Sequence, residues 1–259
     1  GPVPPAGGTA PRQRELCLRV ADLAVDYGIA AAVRGVSLSV PKGSVTALLG
    51  ANGAGKSTVA RALSGLVPVR SGRVVFGDVE ITGLPAHRIR QLGLACLPEG
   101  RGVFPTLTVA ENLRVAVRTA PKNERAEAID RAMDLFPILG ERGSQLAGTL
   151  SGGQQQMLSL ARVLAHLPRL VIADEISLGL APLVVDEVFE GLRRAIGMGV
   201  SIIVIEQFAH RALELADDCH ILRRGRLVWS GAAADARGDI FDHYLGNTAE
   251  DIEPVGEWA

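Results

Sequence analysis

The sequence is poor in three things that would each have named a class of protein. It has only three cysteines in 259 residues, Cys17, Cys96 and Cys219, far apart and without a CxxC pair. That spacing argues against a disulfide framework or a zinc site and fits a reducing compartment. It has no apolar run near the length of a membrane span. Its most apolar stretches, LVIADE (170–175) and VSIIVIEQ (200–207), meet a charge within a few residues and read as buried parallel strands. It also lacks a basic excess: the formal net charge is -1, where a chain living on nucleic-acid backbone carries a positive surplus. Hydrophobic residues at 47% and charged residues at 21% leave an ordinary globular mix, long enough for one large domain or two small ones.

The ends read as separate from the fold. Residues 1–13, GPVPPAGGTAPRQ, are rich in proline and glycine, begin Gly-Pro and lack the pattern of a signal peptide. They are expected to be disordered, a tag remnant or the stub of an excised domain. Residues 248–259 form a loose acidic tail. Between them, residues 16–40 alternate as half-buried antiparallel strands do. KSTVARALSGL carries helical spacing up to Gly65, and residues 107–147 are rich in amphipathic helix, broken near Pro121. From residue 170 on, strand, helix, strand and helix follow one another, the mark of a parallel sheet with crossovers.

Three short stretches carry chemistry. LLGANGAGKST (48–58) follows a strand and opens a helix, and contains Gly50-x-x-x-x-Gly55-Lys56-Ser57. This is a phosphate-binding loop. Its N–H groups must turn inward onto phosphate oxygens, so bulky side chains would obstruct. The helix that starts near Lys56 aims its positive end at the same anion. Lys56 suits the outer phosphates and the Ser57 hydroxyl suits Mg²⁺. LVIADE ends a strand in Asp174 and Glu175, where an open α/β sheet places its ligand. Asp174 suits the surroundings of the metal and Glu175 a general base acting on water. Standing alone, such a pair would be an ordinary acidic strand end. LSGGQQQ (150–156) places Ser151, Gly152 and Gly153 at another helix start. One nucleotide does not need two such ends from one chain, so two chains head to tail would share each nucleotide.

In this order, the three stretches resemble the ATP-binding cassette family, the motors of ABC transporters, over residues 15–247. The resemblance implies a P-loop NTPase of the α/β class. Its parts would be an N-terminal antiparallel β-subdomain, a RecA-like parallel-sheet core and a helical subdomain over about residues 100–160, within a nucleotide-binding domain of residues 14–247. By resemblance, Tyr27 stacks on adenine. Gly50, Asn52, Gly53, Ala54, Gly55, Lys56, Ser57 and Thr58 bind ATP. Ser151, Gly152, Gly153 and Gln154 form the signature that meets the opposing subunit's ATP. Ser57, Asp174 and Glu99 surround Mg²⁺, and Glu175, Lys56 and Gln207 are the catalytic set.

The departures narrow the family. Glu99 stands where a glutamine is usual, and Gln207 where a histidine is usual, with His210 three residues on as a solvated helix residue. Gln207 can donate to a phosphate oxygen but cannot carry a proton. Glu99 beside phosphate is expected to make closure more dependent on Mg²⁺. PEGRxVFPxLTVxENL, SLGLAP and EQxAxxAL together resemble the second ATPase subunit of importers for branched-chain, hydrophobic amino acids. The implied partners are transmembrane permease subunits, a second ABC ATPase subunit and, indirectly, an extracytoplasmic solute-binding protein, with no nucleic acid. The implied place is peripheral, on the cytoplasmic face of the cell membrane. Residues 99–104 resemble the groove that receives the permease, with Arg101, Val103 and Phe104 available to pack against it. A motor for urea, amide or lipid transport is the alternative, with a soluble clamp on DNA or ribosomes behind it. Ile176 follows Glu175 where a proline is usual, and is expected to leave that carboxylate more loosely held.

Overall fold

The computed structural model describes residues 15–97, 102–206 and 209–236. Glu99, Gly100, Arg101 and Gln207, with both termini, lie outside the described residues.

Two sheets form the framework. β1 (Leu16–Tyr27) and β2 (Ala30–Pro41) make the long antiparallel hairpin that the alternation predicts. Gly28 takes φ +60 in the two-residue turn between Tyr27 and Ala30, a conformation open to glycine at little cost. β4 (Ser71–Phe76) and β5 (Val79–Glu80) complete this sheet in the order β2-β1-β4-β5. The second sheet has the order β10-β9-β3-β8-β7-β6. Its members are β3 (Val45–Leu49), β6 (Leu94–Leu97), β7 (Leu170–Asp174), β8 (Ser201–Glu206), β9 (Asp218–Arg223) and β10 (Arg226–Ala232). All its pairings are parallel except β9 with β10.

Every residue of β3, β7 and β8 is buried, as a parallel sheet covered on both faces requires. The period of two then sorts their side chains. Leu48, Ile172, Ile203 and Ile205 join the core under the antiparallel sheet and α1 (Lys56–Leu63). Leu49, Val171, Ala173, Ile202 and Val204 join the core under the helices. Those helices are α3 (Val109–Ala116), α4 (Arg125–Leu135), α5 (Pro137–Glu141), α6 (Gly152–Leu164) and α7 (Pro182–Gly197). The short α2 (Ala86–Gln91) precedes β6, and α8 (Ala209–Leu215) follows β8.

Two local devices shape the helical side. Thr108 and Glu111 form a capping box that starts α3. Asn112, fully buried, donates through Nδ2 to the carbonyls of Phe104, Leu107 and Thr108 and accepts from the Phe104 N–H. One amide thus ties together both ends of the 104–108 turn. α8 ends at Leu215, ahead of Asp217 and Asp218. Asp217 instead accepts the Val45 N–H through Oδ2, at 2.9 Å, and Asp218 opens β9.

Candidate functional site

The carboxyl ends of three adjacent strands make the site. Leu49 pairs with Glu206, and Asp174 with Ile205, so the chain leaves β3, β8 and β7 side by side. This is where an open α/β sheet holds its ligand.

The loop after β3 depends on its glycines for two separate reasons. A Cβ on Gly50 would lie 2.4 Å from the Leu222 carbonyl oxygen. Gly55 has φ +106, and a Cβ there would lie 2.6 Å from the Ala32 carbonyl oxygen. Gly53, at φ +77, has open space and needs glycine only for its backbone. Asn52 and Gly53 are exposed at the crest, Ala54 is buried, and Thr58 is half-buried one turn into α1.

Lys56 is buried at 3% exposure, with its ammonium turned back over the loop. Nζ donates to the Gly50 carbonyl at 2.9 Å and the Ala51 carbonyl at 3.2 Å, and lies 3.4 Å from Glu175 Oε1. Ser57 Oγ donates to Asp174 Oδ1 at 3.2 Å. Lys56, Ser57, Asp174 and Glu175 are therefore brought together. An oxygen-only pair such as Ser57 and Asp174 suits Mg²⁺, which takes one or two protein oxygens and completes its shell with water and phosphate.

Other predicted residues stand around this cluster. Tyr27 is half exposed at the end of β1. It belongs to the hairpin whose Ala32 carbonyl abuts Gly55. Ser151, Gly152, Gly153 and Gln154 start α6. Ser151 Oγ accepts the Gln154 N–H and Gln154 Oε1 accepts the Ser151 N–H, a second capping box. Gly153 is buried against α7: a Cβ there would fall 2.0 Å from Val184 Cγ1. His210 is the solvated helix residue expected, with its side chain 84% exposed and Nδ1 3.3 Å from Glu214 Oε1.

Three residues escaped the sequence reading. Gly225, in the β9–β10 turn, donates its N–H to the Ala54 carbonyl and so pins the loop from behind; its only signal was a glycine in RRGR. Glu206 ends β8 at 2% exposure. Burial pushes its carboxyl up to about 7, the hydrogen bonds from Ser177 and the charge of Lys56 pull it down, and the charge of Glu175 raises it again. Ser177 supplies those bonds: its N–H donates to Glu206 Oε1 at 3.1 Å and its hydroxyl to Oε2 at 2.7 Å. The sign of Glu206 in the sequence was a charge closing a six-residue strand that is otherwise apolar but for Ser201.

Comparison with known proteins decides the family. A family model described as ABC transporter matches residues 33–177, more than half of the chain. The chain belongs to the ABC transporter family. This cassette is 42% identical over 222 residues to the high-affinity branched-chain amino acid transport ATP-binding protein BraG of Pseudomonas aeruginosa, covering 85% of this chain and 95% of the relative. It is 40% identical to a probable branched-chain amino acid transport ATP-binding protein, LivF, of Archaeoglobus fulgidus, covering 76% and 84%. Among solved structures, the ADP conformation of an ATP-binding cassette of an ABC transporter aligns with a TM-score of 0.77 at 25% identity, covering 90% and 96%. A nucleotide-free cassette from an ABC transporter aligns at 0.78 over 93% and 100%, and at 23% identity it speaks for the fold alone. Among the described residues, no helix of the cassette is long and apolar enough to cross a membrane.

Ile176 corrects an expectation. Its side chain is 2% exposed in the core under the helices. The Glu175 N–H donates to the Ile205 carbonyl at 2.9 Å on one side, and Ser177 is held by Glu206 on the other. Burial and hydrogen bonds hold the backbone that a proline ring would have restrained.

Proposed function

We propose that this cassette is the ATP-hydrolysing subunit of an importer for branched-chain or other hydrophobic amino acids. It works at the cytoplasmic face of the cell membrane, held there by permease subunits and paired with a second cassette. A solute-binding protein outside the membrane delivers the solute. The observation that carries the reading is the meeting of Lys56, Glu175, Asp174 and Ser57 at adjacent strand ends. Identity above 40% to an amino acid transport ATP-binding protein supports the solute class.

Each residue has a task that fits its position. The loop N–H groups and the head of α1 receive the phosphates. Lys56, held among the described residues by two carbonyls and one carboxylate, can turn its charge to the outer phosphates when they arrive. Freed from Lys56, the Glu175 carboxylate becomes the base that orients and deprotonates the attacking water. Ser57 and Asp174 would hold Mg²⁺, which supplies charge neutralisation at the phosphates. Tyr27 offers its ring to the adenine. Gln207 and Glu99 complete the set at the outer phosphate and the metal. Ser151, Gly152, Gly153 and Gln154 of the second cassette would close the site.

The permease side has a candidate contact in Phe104. Its ring is 44% exposed, and the Arg162 guanidinium lies 4.6 Å from its centroid. Arg162 also donates to the Gly102 carbonyl, so the ring is braced from behind. A lipid-transport motor is a second reading, favoured by 30% identity to a lipopolysaccharide export ATP-binding protein, LptB, of Acidithiobacillus ferridurans. The chemistry is the same in both, and the permease selects the solute.

The test is Glu175→Gln. Its ATP turnover should fall by about 10²- to 10⁴-fold, the usual worth of a general base. Captured with Mg-ATP from solubilised membranes of the source cell, the variant should bring down multi-span permeases and a second cassette. Unchanged turnover refutes the hydrolytic assignment, and recovery of only ribosomal or DNA-associated proteins refutes the transport one.

A further inference from the structure

The Glu175 backbone takes φ +49, a left-handed conformation that a residue with a side chain keeps only where its surroundings impose it. The surroundings can be named. On one side, the Glu175 N–H continues the sheet ladder by donating to Ile205. Next, Ile176 is anchored in the core. Then Ser177 is gripped at two points by Glu206, the residue after Ile205. Ser177 is also the start of the next turn, where its carbonyl accepts the Leu180 N–H and Gly179 takes φ +72. Of these anchors, only Glu206 is a charged group buried at 2% exposure. An apolar residue would have been the ordinary choice at that point of β8, where the five preceding positions, SIIVI, contain one serine and four apolar residues.

We propose that Glu206 is a positioning residue for hydrolysis, which through its two-point hold on Ser177 fixes the 175–177 turn and so sets where the Glu175 carboxylate stands against Lys56. The proposal rests on the reading of Glu175 as the base. The grip needs a hydrogen-bonding partner at two places, not a charge. A glutamine in the same position can accept the Ser177 N–H through its carbonyl and donate through its amide to Ser177 Oγ, because a hydroxyl also accepts. Leucine fills the space and offers neither. The two substitutions therefore separate positioning from charge.

The experiment measures kcat and KM for Mg-ATP on the full chain and on Glu206→Leu, Glu206→Gln, Ser177→Ala and Glu175→Gln. A base displaced by about 1 Å loses on the order of a hundredfold in rate. Glu206→Leu should lower kcat by about that factor with KM within about twofold. Glu206→Gln should recover most of the loss, and adding Ser177→Ala to Glu206→Leu should cost nothing more, since Glu206→Leu already breaks the hydroxyl bond that Ser177→Ala removes. Unchanged kcat in Glu206→Leu overturns the proposal, and so does a Glu206→Gln variant as slow as Glu206→Leu. If Glu206→Leu does not fold, Ser177→Ala decides: kcat about tenfold lower at constant KM supports the grip, and unchanged kcat refutes it. Glu175→Gln keeps the two readings apart. A Glu175→Gln variant with full turnover removes the base itself, whereas an inactive Glu175→Gln beside a fully active Glu206→Leu removes only the positioning role.

Discussion

The Glu206 carboxyl also makes a prediction about stability that is independent of turnover. Burial is the first cause that pushes it up, from an ordinary 4.5 to about 7, with Glu175 adding to the rise and Ser177 and Lys56 opposing it. An acid raised in the folded state binds its proton more tightly there than in the unfolded chain. Below 4.5 both states are protonated and nothing is lost. Between 4.5 and about 7 the folded state still holds the proton while the unfolded state releases it, so stability falls as pH rises. Above about 7 both are ionised and the loss is complete. At about 1.4 kcal/mol per pH unit, that window bounds the loss at about 3 kcal/mol. Glu206→Gln cannot ionise and escapes it. Urea unfolding of both chains without nucleotide, at steps from pH 4.5 to 8, should show Glu206→Gln gaining on the native chain by up to about 3 kcal/mol, with the gain level above pH 7.5. Every other residue is common to both chains, so the rest of the pH dependence largely cancels. Parallel stability curves across the window would refute the reasoning. A gain of the opposite sign would mean that the fold holds the ionised carboxylate better than water does.

Two further substitutions test the packing behind the site. Gly153→Ala would drive its Cβ to 2.0 Å from Val184 Cγ1, and should lower stability by about 1–3 kcal/mol in chemical denaturation. Val184→Ala in the same chain should recover most of that, and a Gly153→Ala chain of native stability would refute the contact between α6 and α7. Asn112→Ala leaves the 104–108 turn without its buried partner and should cost about 3 kcal/mol, with faster amide hydrogen exchange at Phe104 as the local readout.

The loop 50–58 and the strand 170–175 were legible because both depend on backbone rules. A strand, a glycine loop and a helix in that order leave few other uses for so many glycines, and the structure adds a reason the pattern does not name: a Cβ on Gly50 or Gly55 would meet the Leu222 or Ala32 carbonyl. The largely apolar runs of β7 and β8 foretold a sheet covered on both faces. Less legible was where a helix yields to a strand: α8 stops at Leu215, and the Asp217 carboxylate beyond it is used on Val45, 172 positions earlier in the chain, with no signal but one acidic residue among several.

Pairings made in three dimensions escaped the sequence for a common reason. Gly153 was read as part of an anion-binding helix start, and that reading says nothing of Val184, thirty-one positions on, which forbids a side chain there. In the sequence Glu206 and Ser177 stand only as letters of EQxAxxAL and SLGLAP. Their joint meaning exists only because β7 and β8 are neighbours in the sheet. The same neighbouring explains how Ile176 can stand where a proline is usual. A ring restrains one φ locally, whereas here the restraint comes from across the sheet, through Ile205 before the turn and Glu206 after it. It follows that restoring proline and removing Glu206 are coupled changes. Ile176→Pro should add little to the native chain and should recover part of the kcat lost in Glu206→Leu. Equal effects of Ile176→Pro on both backgrounds would show that the two restraints do not act on the same turn.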